Sequence, residues 1–175
     1  MAEDERWPGH AVLQVPVRPL DEHVRAGYLR HDPSLLGRGP DFVHAHVTVL
    51  GPFDEVPDLA SVANLAASCA PFEARCEQVE LFQNGTIHTP AWPRARFEAL
   101  TRAAQRTFPD VVPYRGQFGV SPHVTLEALA PGVDVASVAE GLRDVLPAGY
   151  RVAQLDLVWY EQGNTHLVAR FPFGC

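Results

Sequence analysis

The sequence predicts an α+β fold, folded as one compact unit from two similar halves, and three observations carry that prediction. A His-apolar-Thr-apolar pattern occurs twice, as His46-Val47-Thr48-Val49 and as His123-Val124-Thr125-Leu126, with the copies 77 residues apart (46 to 123, 48 to 125) in a chain of 175. Around each copy the spacing of apolar residues runs in the same order: strand, helix, motif strand, helix, strand. No low-complexity stretch or linker separates the halves, and the length suits a single domain. The reading is one domain over residues 1–175, pseudo-duplicated into halves of about 10–90 and 91–175.

Each element has its own signal. Residues 1–9 read as a loose tail, and Ala11–Val17 as a first strand, with Pro16 marking an edge or a strand end. Pro19 to Leu29 has helical spacing, with Asp21 and Glu22 where the helix dipole favours acids. The turn-rich stretch from Asp32 to Pro40 precedes the first motif strand, Phe42 to Phe53, which Gly51-Pro52 closes. An Ala-rich helix follows over Leu59–Cys69, then a strand over Phe72–Phe82 with a bulge after Glu77. Asn84-Gly85 is a hairpin turn leading into a return strand from Thr86. In the second half a helix spans Pro93–Phe108, with Phe97, Leu100, Ala104 and Phe108 on one face. The second motif strand covers about 122–128, a helix 134–146, and a terminal hairpin pairs Arg151–Tyr160 with Thr165–Phe171.

Composition limits the function classes. With 46% hydrophobic and 20% charged residues the chain is an ordinary soluble globular protein, and a formal charge of −7 argues against a basic track for duplex nucleic acid. All fourteen positive side chains are arginines. That suits bidentate anion contacts, and it is equally the mark of a GC-rich genome. Three cysteines without a Cys-x-x-Cys spacing suggest reduced thiols and a cytoplasmic location. No stretch approaches the roughly 20 apolar residues of a membrane helix, and the expectation is a monomer with no membrane partner.

The repeated motif carries the chemistry. On a strand, His and Thr two residues apart share a face while the residues between them point into a core. Two histidines on one cleft can serve as complementary base and acid, because only histidine ordinarily titrates near neutrality. The two threonine hydroxyls can donate to an anionic oxygen as charge builds. One copy alone would more simply be a half-exposed strand; two copies in matching halves describe a metal-free site for phosphoryl transfer.

On His46, Thr48, His123 and Thr125, with Leu50-Gly51-Pro52-Phe53 after the first motif and Phe118-Gly119-Val120-Ser121-Pro122 before the second, the chain resembles the 2H phosphoesterase superfamily of 2′-5′ RNA ligase-like proteins and 2′,3′-cyclic phosphodiesterases. The resemblance implies a bilobal fold in which two antiparallel sheets form a central cleft with helices packed outside. It also implies metal-independent phosphodiester chemistry with no cofactor, and His46, His123, Thr48 and Thr125 as the catalytic set. The expected enzyme is a hydrolase of a 2′,3′-cyclic phosphate or a related small nucleotide or RNA-end phosphodiester. The alternatives are ligation or oligonucleotide cleavage, or a non-catalytic nucleotide-binding module. One departure favours a small ligand: RNA-processing members often carry His-x-Thr-Leu-x-Arg, where this chain continues Leu126-Glu127-Ala128.

Further candidates for substrate binding are His44, on the strand face of His46; Tyr114 and Arg115, just before the second motif; and Trp159 and Tyr160, as stacking surfaces, with a core role for Trp159 weighing at least as much as a ligand role. A zinc site at His44 and His46 is weighed and set aside, because no Cys, Asp or Glu accompanies them at ligand spacing. His10, His23, His31, His88 and His166 read most simply as surface residues; His88 and Trp92, after the hairpin turn, fit a place at the cleft border and an exposed loop equally well.

Overall fold

Nine strands and four helices form, in a computed structural model that describes residues 8–117 and 119–174. The strands are β1 (His10–Pro16), β2 (His46–Phe53), β3 (Phe72–Cys76), β4 (Glu80–Leu81), β5 (Thr86–Trp92), β6 (His123–Ala128), β7 (Ala148–Val152), β8 (Gln154–Tyr160) and β9 (His166–Pro172). The helices are α1 (Asp21–His31), α2 (Leu59–Ala67), α3 (Arg94–Thr107) and α4 (Val135–Gly141). Residues 1–7, Phe118 and Cys175, all noted in the sequence, lie outside the described residues.

Every named strand pairing is antiparallel, and the order is β7-β3-β5-β6-β2-β1-β8-β9, with β4 also on β5. Between β2 and β6 the ladder narrows to a single pair, Val47 opposite Val124. The nine strands therefore divide into two sheets, β9-β8-β1-β2 and β6-β5-β3-β7 with β4 also on β5, joined at a seam made by the two motif strands. Each sheet draws on both halves of the sequence: β7 lies beside β3, β6 beside β5, and β8 beside β1. The sheets are thus not the segments 10–90 and 91–175. Each half gives at least two strands to each sheet.

Several elements differ from their predicted extents for local reasons. The first motif strand begins at His46 rather than Phe42, because the N–H groups of His44 and Ala45 donate to the Asp21 carboxylate (2.5 and 3.1 Å) instead of to a neighbouring strand. The strand predicted over Phe72–Phe82 breaks after Cys76, and its two parts lie in turn along β5. The strand predicted over 151–160 is two strands, since the chain leaves β3 and joins β1 at Ala153. Helix α4 stops at Gly141, short of the predicted end; its start is fixed by a capping box in which Asp134 and Ser137 satisfy each other's backbone N–H.

Alternation sorts the side chains. Ala11, Leu13 and Val15 of β1, Val47 and Val49 of β2, and Val124 and Leu126 of β6 are buried in one continuous core. Phe97, Leu100 and Ala104 bring α3 onto it. Each of the larger of these side chains contributes about 1.5–3 kcal/mol by leaving water. Across the seam α1 packs on β6 and α3 on β2, so each helix braces a motif strand.

Candidate active site

The seam places the two motifs side by side. Stepping one residue either way from the Val47–Val124 pair puts His46 across from Thr125, and Thr48 across from His123, all on the face opposite the core. Spacing along each strand decides which residues share a face. The antiparallel pairing joins the two faces into one.

Both imidazoles are oriented by the same device. The Nδ1–H of His46 donates to the carbonyl of His44 (2.7 Å), and that of His123 to the carbonyl of Ser121 (2.6 Å). A carbonyl only accepts, so the proton sits on Nδ1 and Nε2 is left as the basic nitrogen of each ring. The His44 carbonyl is itself held, because the Asp21 carboxylate at the first turn of α1 accepts the N–H of His44. Burial pushes the Asp21 carboxyl up, but the His44 imidazole and the N–H groups of Ala45 and His44 outweigh it and keep it below its ordinary value.

Behind the motifs the supports differ. Beside His46, the Tyr160 hydroxyl donates to Gln14 Oε1 (2.7 Å), and its oxygen lies 3.4 Å from His46 Nδ1. Burial, and then the nearby Tyr28, hold the Tyr160 phenol well above its ordinary range, so it stays neutral. Beside His123, Phe82 stacks on His88 with ring centres 3.5 Å apart, and both meet the His123 ring edgewise, at 4.9 and 5.4 Å. Gln14 pairs with Thr48 across β1 and β2, and His88 with Thr125 across β5 and β6, so the two occupy equivalent places about the seam.

Burial lowers both catalytic candidates. His46 is pushed down to about 4, chiefly by desolvation; the His44 carbonyl opposes the shift, and His123 and His44 add to it. His123 is also lowered, by desolvation first and then by His88, with the Ser121 carbonyl opposing. Near neutrality both rings are uncharged.

The remaining expectations divide. Tyr114 lines a cavity of about 720 Å³ at the second motif, with Phe82, Ser121, His123 and Thr125, and a hydrogen bond links it to Thr48 of the first. It is held there with a left-handed backbone (φ 52°), a conformation that costs a non-glycine residue of order 1–3 kcal/mol and that clusters at functional sites. Tyr160 faces His46. Arg115 does not face the cleft: it pairs with Asp54 (2.9 Å) on the exposed side. Trp159 points to the opposite side of β8 from Tyr160, packed against the core, with its N–H donating to Glu161. His44 is buried, its Nε2 accepting from Gly37 N–H (3.0 Å), so it serves the site through its carbonyl and not through its ring. His88, read as a surface residue, is 3% exposed beneath Phe82. Gln14 was missed; a single polar residue inside the apolar run Ala11–Val17 was the signal. Among the described residues no group of three His, Cys, Asp or Glu side chains is placed to hold a metal ion.

Comparison with known proteins agrees with this geometry. The family model of the 2′-5′ RNA ligase superfamily matches residues 16–164, a span that includes both motifs. Solved structures share the fold at low identity. A phosphoesterase is 14% identical over 97% of this chain and 100% of its own (TM-score 0.60). TT0787 of Thermus thermophilus is 19% identical over 94% and 97% (TM-score 0.58). LigT of E. coli, solved with 3′-AMP, is 15% identical over 95% and 99% (TM-score 0.59). No curated protein matches the sequence. With two His-x-Thr-x motifs joined on one face and a family match over most of its length, the chain belongs to the 2′-5′ RNA ligase superfamily of 2H phosphoesterases.

Proposed function

We propose that the protein hydrolyses a 2′,3′-cyclic phosphate or a related small nucleotide phosphodiester, with two histidines as base and acid and no metal ion. The observation that carries this reading is the paired orientation of His46 and His123, each with Nδ1–H on a carbonyl and Nε2 left basic, across a single strand pair. His46 has the more strongly lowered pKa and takes the proton of the attacking water. The new P–O bond forms from that water, and the bond to one ribose oxygen breaks. His123, protonated as the anionic substrate binds, gives its proton to the departing oxygen. Thr48 and Thr125 donate to the non-bridging oxygens as negative charge gathers on them. E. coli LigT, which shares the fold, has been solved with 3′-AMP, ATP, NADP+ and phosphate, and this supports a nucleotide or phosphate ligand here.

The test is turnover of 2′,3′-cyclic nucleotides and of 2′-5′ and 3′-5′ dinucleotides by the purified protein, with and without EDTA. Hydrolysis that persists in EDTA supports the reading. Hydrolysis lost on chelation and restored by zinc would return the metal site weighed at His44 and His46. Joining of RNA ends without hydrolysis would make ligation the activity.

A further inference from the structure

A second cavity, of about 410 Å³, lies between α1 and β6. Thr86 and Thr125 line both it and the 720 Å³ cavity at the second motif, so the two spaces are neighbours across these residues. Its walls are mostly apolar, from Val24, Gly27 and Tyr28 on the helix and Leu126 and Ala128 on the strand. Its acidic groups are the carboxylates of Asp32 and Glu127. The Glu127 side chain is 5% exposed, and Arg30 donates to its Oε1 (2.6 Å). Its Oε2 is buried with no hydrogen-bond partner; His31 stands 3.8 Å from it on a half-exposed side chain that can swing aside, and the buried Nε2 of His23, also without a hydrogen-bond partner, lies 3.4 Å from Oε1. The equivalent space beside β2, between Thr48–Gly51 and Thr101 of α3, is closed to about 10 Å³, with Tyr114 among the residues that line it. The cleft therefore extends past one motif and not past the other.

We propose that the α1–β6 cavity is a second subsite, which holds the nucleobase beyond the scissile phosphate in a substrate whose phosphodiester joins two nucleosides, and that Glu127 favours a base with N–H donors side by side on its edge, as guanine has. This rests on the phosphodiesterase reading and narrows its substrate from a mononucleotide to a dinucleotide. A volume of this size is within the range of small-molecule sites, where apolar walls hold a ring and a few polar groups choose among rings. A carboxylate accepts from the imino and amino groups of guanine and meets carbonyl oxygens on either side of the single imino group of uracil.

The experiment is a calorimetric titration of the His123→Ala protein, so that no turnover intervenes. The probes are 3′-5′-linked guanylyl-guanosine with 3′-GMP as the one-base control, and 3′-5′-linked uridylyl-uridine with 3′-UMP. Guanylyl-guanosine is expected to bind about tenfold or more tighter than 3′-GMP, and uridylyl-uridine to gain less than about threefold over 3′-UMP. Adding Gly27→Leu, which fills the cavity from the helix side, is expected to remove the guanine gain and leave 3′-GMP binding unchanged. A Cβ at Gly27 meets only Glu127, at 3.8 Å or more, and leucine is the better helix former, so the helix is expected to survive. Ala128→Phe blocks the same space from the strand side should the first variant misfold. A dinucleotide that binds no tighter than its mononucleotide, or that binds both blocked variants as tightly as the unblocked protein, overturns the subsite. Equal gains for the two dinucleotides overturn the role of Glu127. Tight, blockable binding without hydrolysis by the wild-type protein would sink the phosphodiesterase reading and leave the subsite standing.

Discussion

The two sides of the seam carry the same motif and the same backbone device for orienting histidine, yet they are supported by different chemistry. On the β2 side, His46 rests against a neutral pair, Tyr160 and Gln14, and the flank bears Tyr114. On the β6 side, His123 rests against a stacked Phe82 and a titratable His88, and the flank is open. Duplication supplies two interchangeable imidazoles; the supports make them unequal. The more strongly desolvated surroundings of His46 suit a base. The neighbourhood of His123, open to an incoming anion, suits an acid. The substitutions that follow test that division.

The largest effect is expected at the motifs themselves. His46→Ala and His123→Ala should each lower kcat by about 10²–10⁴, the usual contribution of a positioned acid or base, with the fold retained by circular dichroism. Full activity in either variant would end the two-histidine mechanism. Thr48→Val and Thr125→Val should each cost kcat less than the histidine changes and leave its pH dependence unmoved.

The pH profile then separates the two sides. With His46 at about 4 as base and His123 below 6.5 as acid, kcat/KM of the free enzyme should be bell-shaped, with its maximum on the acid side of neutrality. His88 is among the groups that hold His123 down, so His88→Gln should move the alkaline limb to higher pH and leave the acid limb in place. Movement of the acid limb instead would reverse the assignment of base and acid.

How much of this was legible in the sequence follows from what each signal encodes. The motif strands, the bracing helices and the terminal hairpin were readable because a period of 2 or 3.6 is a local property. His46, Thr48, His123 and Thr125 were readable because the pattern repeats. The exchange of strands between halves was not readable, since which strand lies beside which depends on long-range pairing such as β7 with β3 and β8 with β1. The supports were only partly readable. Tyr160 was named with Trp159, and strand alternation sends one of any adjacent pair away from the site, but which one depends on the register with β1. His88 looked like a loop residue until the β4–β5 hairpin buried it under Phe82. Arg115 is turned outward by the left-handed backbone at Tyr114 and Arg115, which no local pattern announces.

A smaller effect is expected from Tyr160→Phe. It removes the oxygen beside His46 Nδ1 and leaves Gln14 Oε1 buried without its donor, which should cost about 1–3 kcal/mol of stability and lower kcat severalfold, with KM little changed. Phe82→Leu on the other side breaks a stack but strands no buried polar group, so its stability cost should follow lost packing alone. Equal losses of kcat in the two variants would show that the neutral pair does no more for His46 than a ring does for His123.

The most modest effect is on stability against pH, and its sign is set by the direction of the His46 shift. The folded protein holds this ring at about 4, while the unfolded chain restores 6.5, so protons bind the unfolded state first. The contribution of His46 is fully present above pH 6.5 and is lost as pH falls from there through about 4, by at most about 3 kcal/mol. His46→Gln should flatten the fall of Tm over that window, and His123→Gln should flatten it less, because the shift of His46 is the larger. If the two variants flatten it equally, the supports do not distinguish the two rings in the free protein, and the inequality of base and acid must arise only when substrate binds.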